Sequence, residues 1–371
     1  MNRRQFLALG AVATGTVALA SIGRARRSLA VAETEAIPTV DRLVMTTVVD
    51  NVYDIFARAG RRGTITVERT PLAMTAGLPL LAEHGLALHL ESVRGSERRE
   101  ILLDFSLTDQ SLSHNYRALR VEPAKADALI LSHGHGDHYG GLPALAATGR
   151  LRRALTLYAG GEDTFCHRVV TSPAGVIDYG QLDQASLEAH GLRVVLAKEP
   201  TVVAGHAVTS GQIPRLTDFE KPPAAARLIA GPMDSACAGS LHFPPGTLKV
   251  EATPGELVVD TFRGEIATAY AVRGRGLVVI TSCGHAGVIN SIRQLQKATG
   301  IEKVHAVVGG FHLAPAPDEI VAKTVAALRA IDPDYIVPMH CTGLNTIIAI
   351  HREMPETLVA PSTGTRVIFG A

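Results

Sequence analysis

Leu131-Ser132-His133-Gly134-His135-Gly136-Asp137-His138-Tyr139-Gly140-Gly141 decides how the rest of this chain is read. Three imidazoles and a carboxylate fall between positions 133 and 138, straight after an apolar run and just before Gly-Gly-Leu. Such a density of polar groups builds a poor core, because each buried polar atom without a partner is costly. It builds a good metal site. Neutral imidazole nitrogen and carboxylate oxygen are the expected ligands of zinc and similar ions. Gly134 and Gly136 free the backbone so that His133 and His135 can turn toward one point, with Asp137 and His138 facing a second point nearby.

Outward from this stretch, β-branched and aliphatic runs alternate with Gly, Pro and Asp punctuation, which predicts strands over Leu43–Val49, Gly85–Glu91, Ile101–Asp104, Ala128–Leu131 and Leu155–Tyr158. Helical spacing covers Gln110–Leu119. Toward the C-terminus, strands at Gly276–Thr281, Val304–Val308 and Tyr335–Pro338 alternate with helices at Gly287–Thr299 and Pro317–Ile331. That alternation implies β-α-β crossovers. The apolar strands end in Gly- or His-containing turns at Ser132–Gly141, Ser282–Gly287, Gly309–Leu313 and Met339–Gly343. In layered α/β folds, strand ends are where ligands collect. Residues 160–265 read as a loop-rich insertion, broken by Pro222-Pro223, Gly231-Pro232 and Pro244-Pro245.

The 133–138 pattern resembles the His-x-His-x-Asp-His motif of the metallo-β-lactamase superfamily. The resemblance extends to Ile101-Leu102-Leu103-Asp104, with Phe105-Ser106 where that family usually has Thr-Gly. Five further motifs occur together: Ala82-Glu83-His84-Gly85-Leu86, Ser210-Gly211-Gln212-Ile213-Pro214-Arg215, Ser282-Cys283-Gly284-His285-Ala286-Gly287, Gly309-Gly310-Phe311-His312-Leu313 and His340-Cys341-Thr342-Gly343. They resemble the branch named for the dihydropterin-ribofuranosylaminobenzene-phosphate synthase, whose members are mostly described as metallo-hydrolases. The resemblance implies a four-layer αββα sandwich. It implies one or two zinc ions, or another divalent transition metal, held by His133, His135 and His285 on one side and Asp137, His138 and His340 on the other. Cys283 stands where a bridging aspartate often sits and is a further candidate ligand. Asp137 is the candidate catalytic residue; His312, Glu83, His84 and Arg215 are candidate substrate contacts.

The chain has 371 residues and a net charge of only +1, with 36 Lys and Arg against 35 Asp and Glu. No basic stripe marks a nucleic-acid partner, so a small-molecule substrate is expected. Arg3-Arg4-Gln5-Phe6-Leu7, the mildly apolar run that follows and Ala30-Val31-Ala32 read as a twin-arginine signal over residues 1–32. A linker over 33–41 and a single domain over 42–371 follow. This reading implies passage through the twin-arginine export machinery, a periplasmic protein, and membrane contact only through an uncleaved signal. Four cysteines form no Cys-x-x-Cys pair; Cys166 and Cys237 are able to pair in an oxidising compartment.

The expected function is therefore an exported zinc hydrolase acting with metal-bound hydroxide on an ester, lactone, amide or phosphoester. Two alternatives stand beside it. One is a transferase of the synthase type, joining a pterin methyl diphosphate to an aromatic ring carbon. The other is a non-catalytic metal- or ligand-binding protein.

Overall fold

The computed structural model describes residues 37–70, 77–173, 175–231, 237 and 255–370. The signal read at 1–32 and the start of the linker lie outside the described residues. The linker's last residues differ from expectation. Thr39–Val40 form a short strand parallel to Thr268–Val272, so the fold starts before residue 42.

Among the described residues, strands form two large sheets and one small one. The larger sheet runs, in spatial order, Arg193–Leu196, Thr156–Ala159, Ala128–Leu131, Glu97–Leu103, Ala87–Arg94, Arg42–Val49, Thr365–Phe369, Ile65–Arg69 and Gly60–Arg62. The second runs Thr201–Val203, Ala207–Thr209, Thr268–Val272, Gly276–Ile280, Val304–Gly309 and Tyr335–Pro338. Their inner faces share one apolar layer, in which Leu43, Met45, Leu88, Leu90 and Ile130 meet Tyr270, Val278, Ile280, Val308 and Val337. The outer face of the first sheet is covered by helices Asp109–Ala118 and Leu142–Ala147, through Leu112, Tyr116, Leu142 and Leu145. The outer face of the second is covered by Val288–Thr299, Asp318–Ile331 and Leu344–Glu353, through Ile292, Leu295, Val325, Leu328 and Ile350. This is the αββα sandwich. Burial of apolar faces on both sides explains why the central strands read as continuous aliphatic runs and not as alternating ones.

The segment over 160–265 is not simply a loop-rich insertion. Thr201–Val203 and Ala207–Thr209 extend the second sheet, and Arg193–Leu196 extends the first. Gly175–Gly180, Arg168–Ser172, Ala226–Ile229 and Leu257–Val259 form a separate four-stranded sheet. Cys166, just before that sheet, is disulfide-bonded to Cys237 across 71 residues.

Strands Glu97–Leu103 and Ala128–Leu131 run parallel, as do Gly276–Ile280, Val304–Gly309 and Tyr335–Pro338. The motif-bearing turns follow the carboxyl ends of these strands and converge on one rim of the sandwich. The convergence requires unusual backbone. Asp104, Ser106, Ser282, His312 and His340 all hold φ between 48° and 61°, in the left-handed region that costs non-glycine residues free energy.

Candidate metal centre

The centre is built on the turn after Ala128–Leu131. Ser132 fixes its start, donating its backbone N–H to Asp104 Oδ1 and its hydroxyl to Asp104 Oδ2, both at 2.8 Å. His135 then begins a single helical turn, Gly136–Tyr139, which presents Asp137 and His138. That turn packs so tightly that a Cβ on Gly140 would lie 2.0 Å from the Leu107 carbonyl oxygen, and one on Gly85 would lie 2.8 Å from that of Asp137. Glycine is therefore required by close approach at both positions.

Two triads face each other at this rim. His133, His135 and His285 each offer a ring nitrogen, and the three nitrogens lie within 4.8 Å of one another; His84, Asp137 and His340 do the same with two nitrogens and a carboxylate oxygen. His138 lies between them. Its Nδ1 is 2.7 Å from Asp104 Oδ2, and its Nε2 is 3.2 Å from the Nε2 of His340. The Nδ1 of His340 is in turn 3.1 Å from Asn51 Oδ1. With both Nδ1–H groups donating to these oxygens, two Nε2 lone pairs meet head-on. A shared proton or a cation between them removes that repulsion.

The orphaned atoms point the same way. His133 Nε2, Asp137 Oδ1 and both ring nitrogens of His285 are buried without a hydrogen-bond partner among the described residues. Burial keeps His133, His135 and His285 neutral, helped by neighbouring imidazoles at His133 and His285; His135 falls to about 3 although Asp137 pulls it upward. Burial works to raise the Asp137 carboxyl, but His138 and His340 hold it far below the ordinary carboxylate range. Burial alone would lower His138; Asp104 and Asp137 beside it lift it to about 9. Neutral imidazoles with free lone pairs around an ionised carboxylate are the donor set a divalent transition metal takes. The residues fit the group.

The remaining candidates take different places. His84 sits at the mouth, its side chain 56% exposed, with Nε2 3.3 Å from Asp137 Oδ2, close enough to join the triad instead of only contacting substrate. Glu83 faces away: its carboxylate accepts Ser106, Thr108 and Ser111 hydroxyls and the Leu107 and Thr108 N–H groups. It anchors the Phe105-Ser106 departure, with Ser106 adopting the left-handed turn in place of glycine. Arg215 donates to the carbonyls of Glu220 and Thr261, 3.1 and 3.2 Å away. His312 lies beside the centre, its ring 4.0 Å from that of His285 and its Nδ1 3.6 Å from Cys283 Sγ.

Several supporting residues carry no local sequence signal. Arg168 is buried, bonds Asp260 at 2.7 Å, and reaches the carbonyls of Gly134, Thr164 and Cys166. Asp260 also accepts the Phe262 N–H at 2.8 Å, and Phe262 stacks on His285 with ring centroids 4.0 Å apart and planes 10° from parallel. Glu265 takes the backbone N–H groups of His285 and Ala286; burial pushes its carboxyl up to about 7. Asp50 accepts the N–H of His340 at 2.8 Å.

The sequence pattern of the metallo-β-lactamase superfamily matches residues 93–217. The crystal structure of Tm1679, described as a metal-dependent hydrolase of the β-lactamase superfamily, superposes with a TM-score of 0.61 at 19% identity, over 87% of this chain and 98% of that one. The chain thus shares a sequence pattern and a fold with the metallo-β-lactamase superfamily. Among curated relatives, the chain is similar to the 7,8-dihydropterin-6-methyl-4-(β-D-ribofuranosyl)-aminobenzene-5′-phosphate synthase of Methanocaldococcus jannaschii. The two are 29% identical over 296 residues, 78% of this chain and 92% of the synthase. An uncharacterized protein of the same organism is 24% identical over 273 residues, 74% of this chain and 89% of that one. The expectation of a hydrolase is overturned here: the curated relative with an assigned activity is a synthase, and the hydrolase in the structural comparison shares the fold alone. The comparisons point to an enzyme, and the described residues include groups able to hold a metal.

Proposed function

We propose that this protein is a metal-dependent synthase that joins the 6-methyl carbon of a dihydropterin, activated as its diphosphate ester, to a phosphorylated ribofuranosyl aminobenzene or a near analogue. The observation that carries the proposal is the match along 92% of the synthase from M. jannaschii. The donor set supports it, because the reaction needs charge stabilised on a departing diphosphate. The near-neutral net charge is in keeping with a small-molecule substrate.

In the balanced reaction, the bond from methylene carbon to diphosphate oxygen breaks and its electron pair leaves with the diphosphate. The aminobenzene nitrogen, a stronger nucleophile than a ring carbon, forms the new bond and gives up one proton, by way of solvent, to the departing diphosphate. When bound, one or two zinc ions supply Lewis-acid stabilisation of the charge that develops on the leaving group. His133, His135 and His285 would hold one ion; Asp137, His138 and His340, with His84 in reach, would hold the other. Asp137, kept ionised by its imidazole neighbours, would serve as an anionic ligand and orienting group and is too weak a base to take the amine proton. Asp104 fixes the His138 ring, and Glu265 fixes the turn that bears His285.

The test incubates zinc-loaded protein with the dihydropterin methyl diphosphate and the ribofuranosyl aminobenzene phosphate, following coupled product by mass spectrometry and released diphosphate in parallel. Equal amounts of both are expected, and both are lost in the His135→Ala/Asp137→Ala variant. Diphosphate release without coupled product refutes the proposal.

A further inference from the structure

We propose that Cys341, with Cys283 and His312, forms a sulfur-bearing edge of the metal centre, so that this chain grips a borderline or soft divalent cation through thiolate as well as imidazole. The inference rests on the metal reading above and is independent of which reaction the centre serves.

The two sulfurs come from turns 58 residues apart in sequence, one after strand Gly276–Ile280 and the other after Tyr335–Pro338, yet they lie 3.1 Å from each other. Both thiols are free, although the same chain joins Cys166 to Cys237. Two sulfurs bound to one ion at about 2.3 Å each are separated by at most about 4.6 Å, so the pair lies within reach of a shared cation. Nitrogen donors complete the surroundings. Cys283, His340 and Cys341 each offer an atom within 4.8 Å of the other two, and so do Cys283, His285 and His312. The edge is continuous with the main centre, since Cys283 also groups with His133 and His138.

The bland alternative is a pair of small buried hydrophobes. Its weakness is the backbone the contact requires. His312, His340 and Ser282 all hold left-handed φ values, and Gly310 is wedged where a Cβ would lie 2.7 Å from Cys341 Sγ and 2.4 Å from the Ser282 carbonyl oxygen. Strained turns at three strand ends and an obligatory glycine are a costly way to bring two thiols together in a core that holds ample aliphatic packing. They are an ordinary cost for a ligand set. Each cysteine binds as thiolate and releases its proton to solvent, and thiolate selects zinc, cobalt, iron or copper over magnesium and manganese.

Cobalt(II) separates this inference from the metal reading itself. Metal-free protein, kept reduced and anaerobic, is titrated with cobalt chloride while absorbance is followed from the visible into the near ultraviolet. Visible ligand-field bands report any coordination; a near-ultraviolet sulfur-to-cobalt charge-transfer band reports thiolate. Both are expected in the wild type. The charge-transfer band should weaken in Cys283→Ser and in Cys341→Ser, and vanish in the double variant while visible bands persist. Visible bands without charge transfer in the wild type overturn the inference and leave the metal reading standing; no bands at all overturn both. A thiol count on denatured, unreduced protein is expected to give two, whereas zero would mean that Cys283 and Cys341 are a disulfide and overturn the inference as well.

Discussion

Arg168 and Asp260 form a fully buried ion pair, Nε to Oδ2 2.7 Å, that holds two parts of the candidate metal centre at once. Through Arg168 it fastens the Gly134 carbonyl between His133 and His135; through Asp260 it fastens Phe262, the ring stacked on His285. Removing one partner leaves the other as an uncompensated buried charge. Arg168→Met is expected to cost about 3–5 kcal/mol of stability, and the double variant with Asp260→Asn to recover part of it. Denaturant unfolding at neutral pH checks this. An Arg168→Met midpoint equal to wild type would show that the pair holds nothing.

Asp104 acts one step behind the donors, orienting the His138 ring through its Nδ1. In Asp104→Asn one oxygen remains to accept a hydrogen bond, while the amide NH2 opposes either Ser132 or His138. Such partners of metal-binding imidazoles typically matter 10- to 100-fold in affinity. A loss of that size is expected by competition with a chromophoric chelator, with far-ultraviolet circular dichroism unchanged. Unaltered affinity would remove Asp104 from the ligand-positioning role.

Stripping the cation should destabilise the protein, because the buried, unpartnered ring nitrogens of His133 and His285 lose the charge that satisfies them. At a free-metal concentration a thousand times the dissociation constant, binding contributes about 4 kcal/mol. The thermal midpoint is expected to fall on dialysis against a chelator and to return with zinc, while magnesium fails to restore it. Identical midpoints with and without zinc would contradict the metal reading.

His305 predicts a pH effect far from the centre. It is buried between the sheets, packed against Tyr335 and Phe369, with Nε2 unpartnered among the described residues. Burial lowers its pKa even though Asp334 2.7 Å away pulls it upward. The unfolded chain therefore takes up the proton first, and stability falls as pH drops below about 6.5. The slope from this one group is at most about 1.4 kcal/mol per pH unit. His305→Phe should flatten the wild-type slope between neutral pH and pH 5 by up to that amount. A slope that survives the substitution belongs to other groups.

Much of this molecule is legible along the chain, and what is not has identifiable causes. Ala128–Leu131 and Tyr335–Pro338 form at the expected bounds because strands buried on both faces leave continuous aliphatic runs. The four-stranded sheet escapes notice because its strands are short and partly solvent-facing, with Val176, Ile177, Leu257 and Val259 exposed. Arg168 and Glu265 defeat sequence reading for another reason: a buried charge is recognisable only by its partners, and Asp260 lies 92 positions from Arg168. Cys341 was visible beside His340, but its meeting with Cys283 depends on the order of strands in the second sheet.

At the rim opposite the metal centre, the chain itself passes from one sheet to the other. Val40 pairs with Val272 in the second sheet, Arg42 pairs with Val93 in the first, and Asp41 between them takes the Gly95 N–H and the Arg273 guanidinium. The sandwich is thus held at one rim by its donors and at the other by a covalent crossing of the chain, like covers joined at a spine. Shortening the chain to residue 37 leaves that spine whole, whereas shortening it to residue 42 cuts it. Amide exchange at Gly95 and Arg273 should accelerate only in the second case; equal protection in both would mean that the crossing bears no strain.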